Sequence, residues 1–394
     1  MKLYKIMSGA LFLISLISFT SCQDIVTYND GYDDGMTSTG APKITAVYQV
    51  GDTAQTTPIS EANLKDMLHV RGVNLSGVKK VMLNDVEVPL KTIYAKATDS
   101  YFPIPRVIPT ETTNKLVYTT EKGETSYDFV VSIPDLKLTG LENEFAFPGD
   151  TVRVVGDFFD LYGFTKDGSG TASVEMNGTA IKIDSLTEDY MSVIIPENTP
   201  DNSIISFKYI DKSQNNVTVN LPYRQVNTLI WPDLAHPDQY GLWAGTSLIV
   251  DGTGTGQPEA LYGSYVRVKG SYGAWSWNNL PCGGFNFSNT DAVSNPGNYY
   301  FAFEVNSATN FPFYDSLSWG YIFQLNGGNY AWNPSSETSY NTYGKWVTIR
   351  IPLTTVATAG MSTGWISFFN ILQPNSDWTV EHNFANYRIE KKTF

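Results

Sequence analysis

From Tyr223 to the C-terminus, apolar and polar positions alternate with a period of two over short runs. The clearest are Thr246 to Val250, Tyr262 to Lys269, Tyr299 to Val305, Trp319 to Leu325, Lys345 to Ile351, Trp365 to Leu372 and Asn386 to Glu390. Loops rich in Gly, Asn, Ser and Pro separate them, and no segment sustains a helical period. Seven or eight short strands over about 170 residues predict a jelly-roll sandwich. Upstream, the alternation occurs twice in related form. His69-Val70-Arg71-Gly72 and Val81-Met82-Leu83-Asn84-Asp85 are matched by Arg153-Val154-Val155-Gly156 and Val174-Glu175-Met176-Asn177-Gly178, and Ile104-Pro105 by Ile195-Pro196. Asn-Asp and Asn-Gly hairpin signals and prolines between the runs predict a β-sandwich for each copy. The first copy lacks the Pro148-Gly149-Asp150 turn of the second and is expected to form a short helix from Ser60 to Leu68.

The N-terminus follows a different pattern. Lys2 and Lys5 precede an apolar run from Ile6 to Phe19, too short for a finished membrane span and shaped like the core of a secretory signal. Thr20 and Ser21 then lead to Cys22. Residues 23–40 hold Asp24, Asp30, Asp33 and Asp34 with no Lys or Arg, as expected of a solvated tether; their glycine spacing does not fit an EF-hand loop. The predicted organisation is signal peptide 1–21, anchor and acidic tether 22–40, first module 41–134, second module 135–222 and C-terminal domain 223–394. Only Cys282 remains besides Cys22, so no intramolecular disulfide framework is available.

Charge narrows the function. The chain of 394 residues carries a formal charge of −13, which argues against nucleic acid as a partner. The C-terminal domain is nearly uncharged, with eight Lys and Arg against eleven Asp and Glu, yet it holds all nine tryptophans, from Trp231 to Trp378. Indole is costly to expose, and this density exceeds what core packing requires. A surface with many aromatics and few charges suits a neutral, hydroxyl-rich ligand, because the C–H face of a pyranose stacks on an aromatic plane while amides reach its hydroxyls. Each such platform contributes roughly 1–2.5 kcal/mol at about 25 cal/mol/Å². Three of them, less the cost of association, predict micromolar to millimolar binding. Weak sites suffice where many tethered copies meet one long chain.

Within the domain, Trp275-Ser276-Trp277 and Tyr330-Ala331-Trp332 have alternate spacing and lie beside Asn- and Gly-rich loops, while Trp319 stands where a loop enters a strand. Trp275, Trp277, Trp319, Tyr330 and Trp332 are therefore the expected glycan-binding residues. Trp346 and Trp365 begin regular alternating strands and are expected in the core, and Trp231, Trp243 and Trp378 remain unassigned.

Enzymatic readings are weaker. Gly360-Met361-Ser362-Thr363-Gly364, followed by Asp377 and His382, has the residue order of an α/β-hydrolase triad. The motif, however, needs a helix after the serine, and Trp365 to Leu372 reads as a strand. A glycosidase needs two opposed carboxylates; Glu304 and Glu337 are available, but no motif selects a pair. Three scattered histidines, His69, His236 and His382, do not predict a zinc site, and Asp251 to Gly256 is read as a turn. No cofactor is expected, with structural calcium left open.

The motifs resemble known families. The segment ending at Cys22 resembles a bacterial lipobox, which implies cleavage before Cys22 and its acylation; the acidic residues after it resemble the surface-export signal of Bacteroidetes lipoproteins. Pro148-Gly149-Asp150-Thr151 and the strand to Gly156 resemble the IPT/TIG immunoglobulin-like fold, and the modules are read as spacers. Tyr300 to Asn306, Tyr330 to Pro334, Gly344 to Leu353 and Asn386 to Ile389 resemble the C-terminal domain of Bacteroidetes surface glycan-binding proteins. The implied fold is all-β: two Ig-like (IPT/TIG) β-sandwich modules, then a jelly-roll sandwich like a carbohydrate-binding module. The implied function is non-catalytic capture of a neutral polysaccharide, a β-glucan or xyloglucan, at the bacterial outer membrane beside a SusC/SusD-type importer. A surface glycosidase and a protein-binding adhesin are the alternatives.

Overall fold

The structure, a computed structural model, describes residues 37–314, 319–334 and 340–392. The signal segment 1–21, Cys22, the tether as far as Met36 and the candidate acid Glu337 lie outside them. The described chain is nearly all β, as the alternation predicts, and divides into two compact units at Asp135/Leu136.

The first unit is a sandwich. One sheet has the order Lys43–Gln49, Met67–Val73, Asp99–Pro103, Tyr94–Ala95, and the other Val86–Glu87, Val78–Leu83, Lys115–Thr120, Gly123–Asp128. Val47, Leu68, Val70, Val81, Phe102 and Tyr118 fill the space between them. The helix expected from Ser60 to Leu68 is absent. Glu61–Asn63 is a strand paired in parallel with Val130–Ser132, and the Asp66 carboxylate accepts the Asn63 N–H at 2.9 Å across a tight turn. Those local bonds take backbone groups that a helix would need.

The second unit opens with a sandwich that repeats the first. Lys137–Leu141, Thr151–Asp157, Met191–Ile194 and Ile183–Leu186 face Thr179–Ala180, Ser173–Met176, Ser203–Ile210 and Asn216–Tyr223. The glycine of each repeat has one cause. Opposite a bulge in the neighbouring strand, a Cβ on Gly72 would lie 2.1 Å from the Lys43 carbonyl oxygen, and one on Gly156 2.0 Å from that of Lys137.

Two five-stranded antiparallel sheets follow. The front sheet runs Leu242–Ala244, Asn278–Phe287, Gly364–Leu372, Tyr321–Leu325, Tyr330–Trp332; the back sheet runs Ile249–Val250, Tyr265–Tyr272, Trp378–Lys391, Tyr299–Ser307, Val347–Pro352. Their inner faces share one core that includes Phe301, Phe303, Phe323, Phe368, Phe384 and Tyr387. Among the described residues, ten strands replace the seven or eight expected, and the long Asn278–Phe287 strand is hidden in sequence by Pro281-Cys282-Gly283-Gly284. Of the strand expected from Thr246 to Val250, only Ile249–Val250 is extended, after a 3-10 turn at Thr246–Leu248.

The second sandwich is clamped onto the back sheet by buried charge. Arg388, fully buried, donates to Glu144 of the second sandwich, to Glu304 (3.0 Å) and to Glu390 (2.8 Å). Arg350 Nε donates to the other Glu144 oxygen at 2.9 Å, and Thr348 Oγ1 donates to Glu304 while accepting the Glu144 N–H. The Arg388 guanidinium also lies 5.0 Å from the Phe145 ring centroid. Three carboxylates thus share two guanidinium groups. Burial would raise the Glu144 carboxyl, but Arg350 and Arg388 hold it below its usual range. Burial prevails at Glu304, which is raised, and at Glu390, pushed up to about 7 against the pull of Arg388.

A carboxyl that holds its proton more tightly when folded adds stability that is complete below its unfolded value of 4.5 and is lost as pH rises through about 7. Glu144, shifted the other way, acts in the separate window below 4.5. Glu390→Gln is therefore expected to flatten the fall in stability between about pH 5 and pH 8 by up to about 3 kcal/mol, as read by denaturant unfolding at both values. An unchanged slope would place the extra proton elsewhere.

Candidate functional site

Strand register decides which side chains face solvent. Phe285 lies opposite Ile366 and Gly283 opposite Phe368, all on the inner face, so Trp365, Ser367 and Phe369 point outward from the front sheet with Asn286, Gly284 and Gln324 beside them. Trp365 is 65% exposed and Trp243 59%. The Trp365 indole lies across bare backbone. A Cβ on Gly284 would come within 2.4 Å of its Nε1, and one on Gly241 within 2.5 Å of its outermost ring carbon. Two glycines therefore let a large flat ring lie down on the sheet, as glycine in a strand permits close approach. Trp243 meets Phe369 edge-on, with ring centroids 5.4 Å apart.

Further along the same strands is Trp277, 52% exposed, whose indole N–H donates to Asn279 Oδ1 at 3.0 Å. Asn279 pairs with Ile371, on the outward register. From the Asn286 level to the Asn279 level is seven residues, roughly 23 Å of strand, or about four pyranose rings. Trp275, 67% exposed with φ 60°, is held at that end by its N–H bond to the Pro374 carbonyl (2.7 Å), and Trp319 by its N–H bond to Asn375 Oδ1 (3.1 Å) in the same loop.

The structure thus gathers Trp275, Trp277 and Trp319 at one end of the domain and excludes the other two expected residues. Trp332 is 3% exposed and packs against Phe303, Phe313 and Phe323. Tyr330 lies opposite Phe323 and packs on the same core, where burial raises its phenol pKa. Their alternate spacing does put both on one face, but it is the inner face. Trp365, expected in the core, is the reverse case, and Trp243 was unassigned. Trp231 and Trp378 are core, and the half-buried Trp346 donates to the Glu259 carbonyl at 2.9 Å.

The outer face of the back sheet is not comparably open. The second sandwich covers Glu304 and Arg388, the 258–259 segment accepts from Tyr265 and Trp346, and Arg267, Lys269 and Glu381 pair with one another.

The enzymatic arrangements do not assemble. Ser362 sits in an exposed turn followed by a strand, and Asp377 lies beyond the far end of that nine-residue strand, roughly 30 Å away. His382 is fully buried. Its Nδ1 accepts from the Tyr321 hydroxyl at 2.7 Å, its Nε2–H faces the carbonyls of Phe311 and Pro312, and burial pushes its pKa down to about 3. Glu304 is sealed in the charge cluster. His69 pairs with Asp99 and His236 with Asp233, and among the described residues no group of three or more His, Cys, Asp or Glu could share a metal ion. Asp251 caps its own turn through Thr253.

Residues 224–391 match the family model of the surface glycan-binding protein B xyloglucan binding domain. This C-terminal domain is SGBP-B-like. Among solved structures, the chain is similar to PbSGBP-B from Prevotella bryantii, at 18% identity over 90% of this chain and 100% of that one, with a TM-score of 0.49. An SGBP-B from a complex xyloglucan utilization locus in Bacteroides uniformis is also 18% identical, over 89% and 99% of the two chains, with a TM-score of 0.44. A Bacteroides ovatus mixed-linkage glucan SGBP-B, solved with a mixed-linkage heptasaccharide, is 12% identical over 84% and 78%, with a TM-score of 0.26. No curated protein matches the chain.

Proposed function

We propose that the protein is a non-catalytic, cell-surface lipoprotein that captures a neutral polysaccharide, a β-glucan such as xyloglucan, for a SusC/SusD-type importer. Cys22 carries the lipid anchor. The front sheet of the C-terminal domain holds the glycan on Trp365, Trp243 and Trp277, and Asn286, Ser367, Gln324 and Asn279 reach its hydroxyls. The observation that carries this reading is the glycine-floored Trp365 beside Trp243 on an outward sheet face of a nearly uncharged domain. Three platforms at roughly 1–2.5 kcal/mol each keep the expected affinity in the micromolar to millimolar range.

Affinity electrophoresis through gels containing xyloglucan, mixed-linkage β-glucan, laminarin, mannan or starch tests it. Retardation by a β-glucan, with the polymer left intact, is the expected result; free migration in every gel would remove the reading, and depolymerisation would favour a glycosidase.

The glycine floor gives a separate prediction. Gly284→Ala leaves every aromatic in place but puts a methyl group where the Trp365 indole lies. The ring must tilt off the sheet, so binding is expected to weaken about five- to tenfold in calorimetric titration with little change in melting temperature. Full affinity in this variant would show that the flat ring is not part of the site.

A further inference from the structure

The aromatic face ends in a cavity. At the Trp365 end, the 227–232 segment and the 286–289 turn enclose a cleft of ≈ 420 Å³, within the roughly 300–1,000 Å³ range of small-ligand pockets. Trp365 forms one wall, Phe285 and Phe287 contribute apolar surface, and Asn227, Gln239 and Asn286 supply amides. None of the lining residues is ionisable. The side-chain amides of Asn227, Gln239 and Asn286 take no protein partner among the described residues. An amide both donates and accepts, as a sugar hydroxyl does, whereas a phosphate, sulfate or uronate would need a cation that this lining lacks.

We infer that this cleft is a second subsite, which takes one or two neutral sugar rings that leave the aromatic row at Trp365. The inference rests on the glycan-binding reading above. The row presents one long platform to a polymer backbone, and the cleft opens beside its last ring, so the backbone and the departing rings are held together. The departing rings belong either to a branch on the backbone or to the end of the chain, and the chemistry of recognition is the same for both.

Calorimetric titration of the full protein separates these cases. The probes are a short linear cello-oligosaccharide, a long one, and a xylogluco-oligosaccharide with the backbone length of the short one. Two variants alter the cleft: Asn227→Ala removes an amide that the platform does not use, and Ser288→Phe fills the space. Both positions are exposed. A branch in the cleft makes each variant bind the xylogluco-oligosaccharide about five- to tenfold more weakly, with both linear probes unaffected. A chain end in the cleft confines the loss to the long linear probe. The inference is overturned if both variants keep every affinity within about twofold of wild type, or weaken all three probes alike. In either of those outcomes wild-type binding of the linear probes still upholds the platform, whereas a wild-type protein that binds none of the three removes both platform and cleft.

Discussion

Trp365→Ala is expected to cost roughly 1–2.5 kcal/mol of glycan binding, on the order of a tenfold loss, and the Trp243→Ala/Trp365→Ala pair to take retention in a glycan gel below detection. The indole is two-thirds exposed, so its removal leaves the core intact. Its flat seat over Gly284 and Gly241 orders the ring before any ligand arrives, and a preorganised ring loses little entropy on binding. The check is calorimetry with a β-glucan oligosaccharide alongside a melting curve. Loss of binding with an unchanged melting temperature is the expected outcome. Unchanged binding in the double variant would take the platform out of the account.

Arg388→Ala is expected to cost about 3–5 kcal/mol of folding stability, because it leaves Glu144, Glu304 and Glu390 buried together with only Arg350 to oppose them. Arg350→Ala should cost less, since Arg350 is partly exposed and Glu144 keeps Arg388. Acid should partly rescue Arg388→Ala, because protonation of Glu304 and Glu390 removes the charges left unpaired. Urea unfolding at about pH 5 and about pH 8 measures both effects. A loss under about 1 kcal/mol at the higher pH would show that the cluster does not hold the second sandwich to the back sheet.

The period-two pattern made the all-β architecture legible, and the repeated Gly72/Gly156 and Asn84/Asn177 positions revealed two similar sandwiches. Period two fixes which residues share a face, but not which face is inside. Tyr330 and Trp332 share the inner one. In Gly364–Leu372 both alternating sets carry aromatics, Ile366 and Phe368 against Trp365 and Phe369, so the strand alone does not reveal its buried side. The useful signal lay on the neighbouring strand. Gly283-Gly284, outside every strand expected from the alternation, is strand, and glycine there marks the close approach of the Trp365 ring. Arg388 and Glu144 are 244 residues apart in the chain, and no local pattern joins them.

The most direct test of the glycan face is the set of nine indole N–H resonances during titration with a β-glucan oligosaccharide that the wild-type protein binds. The signals of Trp243, Trp277 and Trp365 should shift in proportion to occupancy, while those of the buried Trp231, Trp332 and Trp378 stay in place. Shifts confined to other tryptophans, with Trp243 and Trp365 unmoved at saturation, would contradict the account.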